Sequence, residues 1–217
     1  MDNSNTLPTL NSVEIRVLGS LIEKSKTTPD YYPMTLNALT LACNQKSSRY
    51  PVVLYDEETV VIAINTLKKM GLVSTATGGT SRSIKYKHNL TLVLPLTTAE
   101  LAVMCLLFLR GPLTAGEINS NSARLYEFES LEDVHAVLEK LADQEKPMIK
   151  QLPKRAGQKE LRYIHLAGEF VDLPEDDFPE EPARKSVNEM EARLTTVEQE
   201  LAALKLTVDK LMKELMG

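Results

Sequence analysis

Ile84-Lys-Tyr-Lys-His88 returns 77 residues later as Leu161-Arg-Tyr-Ile-His165, and the elements ahead of each copy recur in the same order. A repeat of this length means that one structural unit is used twice, so two halves of one architecture are expected. Asn11-Ser-Val-Glu14 opens an apolar-periodic run through Val13, Val17, Leu18, Leu21 and Ile22. Thr97-Thr-Ala-Glu100 does the same for the run Leu101–Leu109, and both openings have capping-box spacing. A second short helix is expected at Thr35–Cys43, and its counterpart starts at Thr114-Ala-Gly-Glu117. A third is started by Asp56 in one half and by Ser130 in the other. Each half closes with a strand, a polar turn and a strand: Leu72–Ala76 then Ile84–His88, and Met148–Leu152 then Leu161–His165. Three helices followed by a β-hairpin describe a winged helix.

The reading is therefore mainly α with small β-hairpins: two tandem winged-helix domains followed by a C-terminal coiled-coil helix. The first domain spans 1–95 and the second 96–170. A linker covers 171–183, where Val171–Pro182 holds three prolines and six carboxylates and no periodicity. The coiled-coil helix spans 184–217. Its apolar residues Val187, Met190, Leu194, Val197, Leu201, Leu204, Val208, Leu211 and Leu215 follow alternating intervals of three and four. A 3.6-residue stripe would drift off such a seam, so the spacing predicts self-association through this helix, with a homodimer as the default. In a parallel pair Arg193 meets Glu198 and Glu200 meets Lys205, both attractive.

The pattern of residues also carries a resemblance. Tyr32–Arg49, with Lys85-Tyr86-Lys87-His88 and the run Ala99–Gly111, is similar to the YceH family, bacterial proteins of unassigned function built from tandem winged-helix domains. The likeness covers roughly residues 10–170 and is most specific around Cys43–Arg49; Tyr50 stands where that pattern often has an acidic residue. It implies the same architecture and supplies no activity.

Charge and composition narrow the function. Lys and Arg number 25 against 30 Asp and Glu, a net charge of −5. Residues 1–95 carry ten basic and seven acidic side chains, 96–170 nine and eleven, and 171–217 six and twelve. An acidic chain is no general nucleic-acid coat, but a DNA-binding module needs only its contacting face to be positive. No apolar run approaches a membrane span, and MDNSNTLPTL has no signal-peptide pattern, so a cytoplasmic protein is expected. Cys43 and Cys105 lie in apolar helical patterns and are expected as buried thiols. No catalytic constellation, metal-ligand spacing or cofactor motif is found. Gly111-Pro-Leu-Thr-Ala-Gly116 has phosphate-loop glycine spacing, yet Glu117 stands where the lysine belongs, so a helix end followed by a helix start is the better reading.

Duplex DNA is the first partner to test, and a winged helix normally places its third helix in the groove. At 100° per residue Val60, Ala63, Ile64 and Leu67 face inward and Glu58, Ile62, Asn65 and Lys69 outward. In the second half Leu131, Val134, Leu138 and Leu141 face inward, leaving Glu132, Asp133, Ala136, Glu139 and Lys140 outside. Those carboxylates suit phosphate poorly. The candidate DNA contacts are therefore the loop Asn44, Gln45, Lys46, Ser47 and Arg49 and the hairpins. The hairpins carry Arg82, Lys85 and Lys87 in the first half and Lys154, Arg155, Lys159 and Arg162 in the second. Two other readings stand beside this one: an adaptor that docks proteins on its winged helices and coiled coil, motivated by the acidic third helices, exposed Ile62 and the self-pairing tail, and a small anionic ligand at Lys46 and Arg49.

Overall fold

A computed structural model describes residues 7–76, 83–143, 145–154 and 160–168. The linker, the heptad tail and most of the polar turn expected between Ala76 and Ile84 lie outside the described residues. Those described fall within one compact unit and are mainly α-helical with two small antiparallel sheets.

The first half runs α1 (Ser12–Thr27), β1 (Met34–Thr35), α2 (Leu36–Cys43), α3 (Glu57–Lys69), β2 (Val73–Ala76) and β3 (Lys85–His88). A short helix, α4 (Leu90–Val93), leads to the second half. There the order is α5 (Thr98–Arg110), β4 (Leu113–Thr114), α6 (Ala115–Ser122), α7 (Leu131–Ala142), β5 (Ile149–Leu152) and β6 (Arg162–His165). Local chemistry fixes the helix starts. Asn11 with Glu14, Thr97 with Glu100, Thr114 with Glu117 and Ser130 with Asp133 each close a reciprocal capping box. Thr35 and Asp56 cap α2 and α3 through their side chains. Gly71 ends α3 with φ +75°: its N–H donates to Lys68 O and that of Leu72 to Leu67 O. This left-handed exit satisfies the last carbonyls and turns the chain straight into β2.

In each sheet the last strand is central, in the order β1-β3-β2 and β4-β6-β5. Lys85 lies opposite Thr35 and Ala76, and Lys87 opposite Ser74. The two-residue edge strands β1 and β4, α4 and the 3-10 turn Pro29–Tyr31 were not expected from the sequence. Leu131 is a correction: it is 40% exposed rather than inward. It occupies the first position of α7, before the helix has turned onto the core, whereas Val134, Leu138 and Leu141 are buried.

One apolar core runs through both halves, centred on α1 and α5. Every residue of α1 from Glu14 to Ile22 is buried, as is every residue of α5 from Glu100 to Leu109. A helix buried all round must have neighbours on all sides; α1 packs on α2, α3 and β3 as well as on α5. The closest approach is at Gly19. A Cβ there would stand 2.9 Å from Leu109 Cδ2 and 3.1 Å from Phe108 Cβ, and the Cys105 thiol donates to the Gly19 carbonyl at 3.6 Å. When the capping boxes are aligned, Asn11 on Thr97 and Glu14 on Glu100, Gly19 corresponds to Cys105, so the helices cross at matching positions. The halves are tied again at the edge, where Leu10 N–H donates to Ala167 O. Cys43 and Cys105 are both buried free thiols, and burial raises the pKa of each.

His88 and His165 end the two central strands and pack inward. Ser25 Oγ donates to Ile22 O at 2.7 Å, so it accepts from His88 Nε2 at 3.3 Å. That assignment leaves His88 Nδ1 as a bare acceptor, and Nδ1 of both rings is buried without a partner. Burial pushes both imidazoles from 6.5 down to about 4, and nearby Lys26 adds to the effect at His88.

Two measurements check this packing. Gly19→Val forces a branched side chain into the crossing and should cost about 1–3 kcal/mol in urea unfolding at neutral pH; an unchanged midpoint would contradict the close approach. Both histidines are neutral in the folded chain and protonate once unfolded below 6.5, so their contribution is complete above that pH and is lost as pH falls towards about 4. The urea midpoint should drop between about pH 7 and about pH 5, and His88→Gln with His165→Gln should flatten that drop.

Candidate nucleic-acid interface

The segment from Asn44 to Asp56 joins α2 to α3, and the interior of the protein anchors it at several points. Asn44 caps α2, its backbone N–H donating to Thr40 O. Its side-chain amide pairs with the Tyr55 backbone, donating to Tyr55 O and accepting from Tyr55 N, both at 2.8 Å. Arg16, buried in α1, donates to Cys43 O at 3.0 Å and to Pro51 O. Tyr50 N–H reaches across to Leu109 O at the end of α5, at 2.8 Å. Arg110 donates to Ser48 Oγ at 2.8 Å, and Ser48 holds φ +58°.

Arg49 is the centre of this arrangement, with its side chain fully buried. Nε and Nη2 donate to Ala42 O, Nη1 to Ser48 O, and Nη1 and Nη2 together clasp the Glu23 carboxylate at 3.0 and 2.7 Å. All five guanidinium protons are spent inside the protein. Burial pushes the Glu23 carboxyl up, but bonds to Arg49 and Lys24 outweigh it, and its pKa is lowered. Burial and the Arg49 charge lower that of Arg16. Arg49 is therefore corrected from a ligand contact to an internal anchor: a cation without solvent access cannot reach a phosphate. The same geometry removes Arg49 from a small-anion site, and the Asn44 amide is likewise committed to Tyr55.

The remaining candidates fall into three groups. Lys46 and Ser47 are exposed at the loop tip, while Gln45 Oε1 accepts from Lys24 Nζ at 3.3 Å. On β3, Lys87 is exposed and Lys85 half-buried, on one face two residues apart. Their cross-strand neighbours Thr35, Ala76 and Ser74 are all short. In the second half Lys154 is exposed and Arg162 is half-buried on β6 opposite Thr114 and Leu152. Arg82, Arg155 and Lys159 lie outside the described residues. The sequence reading missed Lys24 and Lys26 at the end of α1 and Lys68 at the end of α3, and named Lys69 only as an outward residue; basic residues in a last turn also serve as dipole partners, which hid them.

The third helices lie as the periodicity expects on their outer faces. Glu58, Ile62, Asn65 and Lys69 of α3 are exposed, as are Glu132, Asp133, Ala136, Glu139 and Lys140 of α7. Asp56, Glu57 and Glu58 make the start of α3 acidic and fully open to water. Glu117 closes a capping box where a phosphate loop would need a lysine. Among the described residues no group of His, Cys, Asp and Glu could hold a metal, and no helix is long and apolar enough to cross a membrane.

A family profile described as "Protein of unknown function, DUF480" matches residues 10–158, which takes in the whole of the loop, both central helices and most of both sheets. The chain belongs to the DUF480 family. Relatives carrying the name UPF0502 protein match most of the chain. The one from Shewanella loihica is 42% identical over 94% of this chain and 98% of its own, and that from Opitutus terrae 43% over 92% and 84%. The Solibacter usitatus relative is 43% identical over 90% and 93%. The family likeness seen in the sequence is thus borne out, YceH being the name of a UPF0502 member. The DUF480 match includes Arg49 and Glu23, the pair that the fold makes internal.

That internal role has a direct consequence. Arg49→Ala leaves two carbonyls without their donors and the Glu23 carboxylate with Lys24 alone, and should destabilise the fold by about 3–5 kcal/mol in urea unfolding. Arg49→Lys should recover only part of the loss, because an ammonium has three protons and no fork. A stability unchanged by Arg49→Ala would reopen the loop as a ligand site.

Proposed function

We propose that this chain is a non-enzymatic, cytoplasmic, tandem winged-helix protein that dimerises through a coiled coil at 184–217 and binds duplex DNA as a regulator. Two rounds of three helices and a hairpin, with a short strand after each first helix, support the winged-helix reading. The observation that carries the DNA reading is the outer face of the first sheet. Lys85 and Lys87 stand side by side on its central strand among Thr35, Ala76 and Ser74, which are too short to cover them. Lys46 at the loop tip and Lys154 on the second hairpin add exposed cations. Such groups neutralise phosphates and position a protein on the duplex without reading sequence.

The acidic starts of α3 and α7 set the docking mode. Asp56, Glu57 and Glu58, and Glu132 and Asp133, would meet phosphates if either helix entered a groove by its N-terminus. In this reading the hairpins and the loop tip make the contact, and the helices stay clear.

Fluorescence anisotropy of the full-length protein on random duplex DNA, run across a salt series, tests the proposal. Binding in about the micromolar range at low salt is expected, falling steeply as salt rises. Replacing Lys85 and Lys87 by Ala should reduce the salt slope by about two, and Lys46→Ala by about one. Absence of binding at low salt overturns the DNA reading.

A further inference from the structure

The segment Val52–Tyr55 carries its apolar side chains on the wrong side for a core. Leu54 is 92% and Val52 49% exposed, while Val53 and Tyr55 between and beside them are half-buried. Leu41, 67% exposed, lies three residues before Asn44 on the same face of α2. The Asn44 amide is bonded to the backbone of Tyr55, next to Leu54. Ile62, 62% exposed, lies one turn along α3 from Glu58 on the outer face of that helix. Single exposed aliphatics are ordinary on any protein, but several gathered on one loop and its flanking helices are not. Nor is this a slack loop: Arg16, Asn44, Arg49 and Tyr50 tie its backbone to α1, α2 and α5. Among the described residues no hydrogen bond uses the backbone of Val52, Val53 or Leu54.

The edge next to Leu54 is acidic, although Lys69 lies further along the outer face of α3. Asp56, Glu57 and Glu58 follow Leu54 directly and are all exposed. We infer that this surface docks a partner protein segment presenting aliphatic side chains beside lysine or arginine. The aliphatics would cover Leu41, Leu54 and Ile62, and the cations would meet the three carboxylates. The same charges argue against the other occupants. A second copy of this surface would set its own carboxylates against Asp56, Glu57 and Glu58. The chain's tail, with twelve acidic and six basic residues over 171–217, has the wrong sign. Nucleic acid is repelled for the same reason. The DNA reading rests on other residues, Lys85 and Lys87 of β3 with Lys46 at the loop tip and Lys154 on the second hairpin.

Random-peptide display on the full-length protein provides the probe, with peptides that also bind a Leu54→Glu variant removed. Enriched peptides should combine aliphatic residues with Lys or Arg. Synthesised and measured by anisotropy, they should bind Leu54→Glu about tenfold or more weakly. Glu57→Lys with Glu58→Lys should weaken them further than added salt alone. Because Leu54 is almost fully exposed, Leu54→Glu should melt at the wild-type temperature, which separates loss of docking from loss of fold. Failure to enrich any peptide, enrichment of acidic peptides, or equal binding to wild type and variants overturns the inference.

Discussion

The crossing of α1 and α5 is the contact on which the rest of the fold depends. Each helix is the first of its half and each is buried on every side through its middle, so each needs more cover than its own half provides. Close approach solves this, and Gly19 permits it by presenting no side chain where Leu109 and Phe108 pass. The glycine weakens α1 locally, since Gly is about 1 kcal/mol worse than Ala in a helix. Tight packing of large side chains from both helices offsets that cost.

Charge buried beside this crossing fixes the α2–α3 segment. Arg16 and Arg49 lie within the protein, and Glu23 is the carboxylate that the Arg49 fork clasps. A buried ion pair need not add net stability, but it punishes every arrangement that leaves either charge unpaired. Here the punished arrangements are those in which the segment swings away from α1. The segment is thereby held against α2 and the end of α5 while its own apolar residues, Val52 and Leu54, remain in water. Rigidity comes from polar anchors, and the surface is left for something else.

Much of this was legible in the chain, for local reasons. Capping boxes announce helix starts because donor and acceptor lie three residues apart, and the four reciprocal boxes appear where the sequence has them. The inward face of α3 follows from helical periodicity alone. Arg49 was not legible. A cation in a loop with amides and hydroxyls reads as a ligand contact, and only the fold brings Glu23, 26 residues earlier, and the Ala42 carbonyl to it. Asn44 also read as a ligand contact, and its reciprocal bonds with Tyr55 commit its amide to the fold instead. The strands β1 and β4 escaped notice because two residues show no alternation; pairing to β3 and β6 defines them.

Matching positions meet where Gly19 receives the thiol of Cys105. A contact between a position and its own counterpart is what an isologous dimer makes at its two-fold axis. In this chain both partners are covalently joined, so the association is unimolecular, and its strength depends on an effective local concentration rather than on how much protein is present. Dilution cannot separate the halves. The covalent link also relieves the matching helices of any need to be identical, since each side of a contact made once per molecule is free to diverge. At this crossing Gly19 presents no side chain and Cys105 fills the space with its thiol.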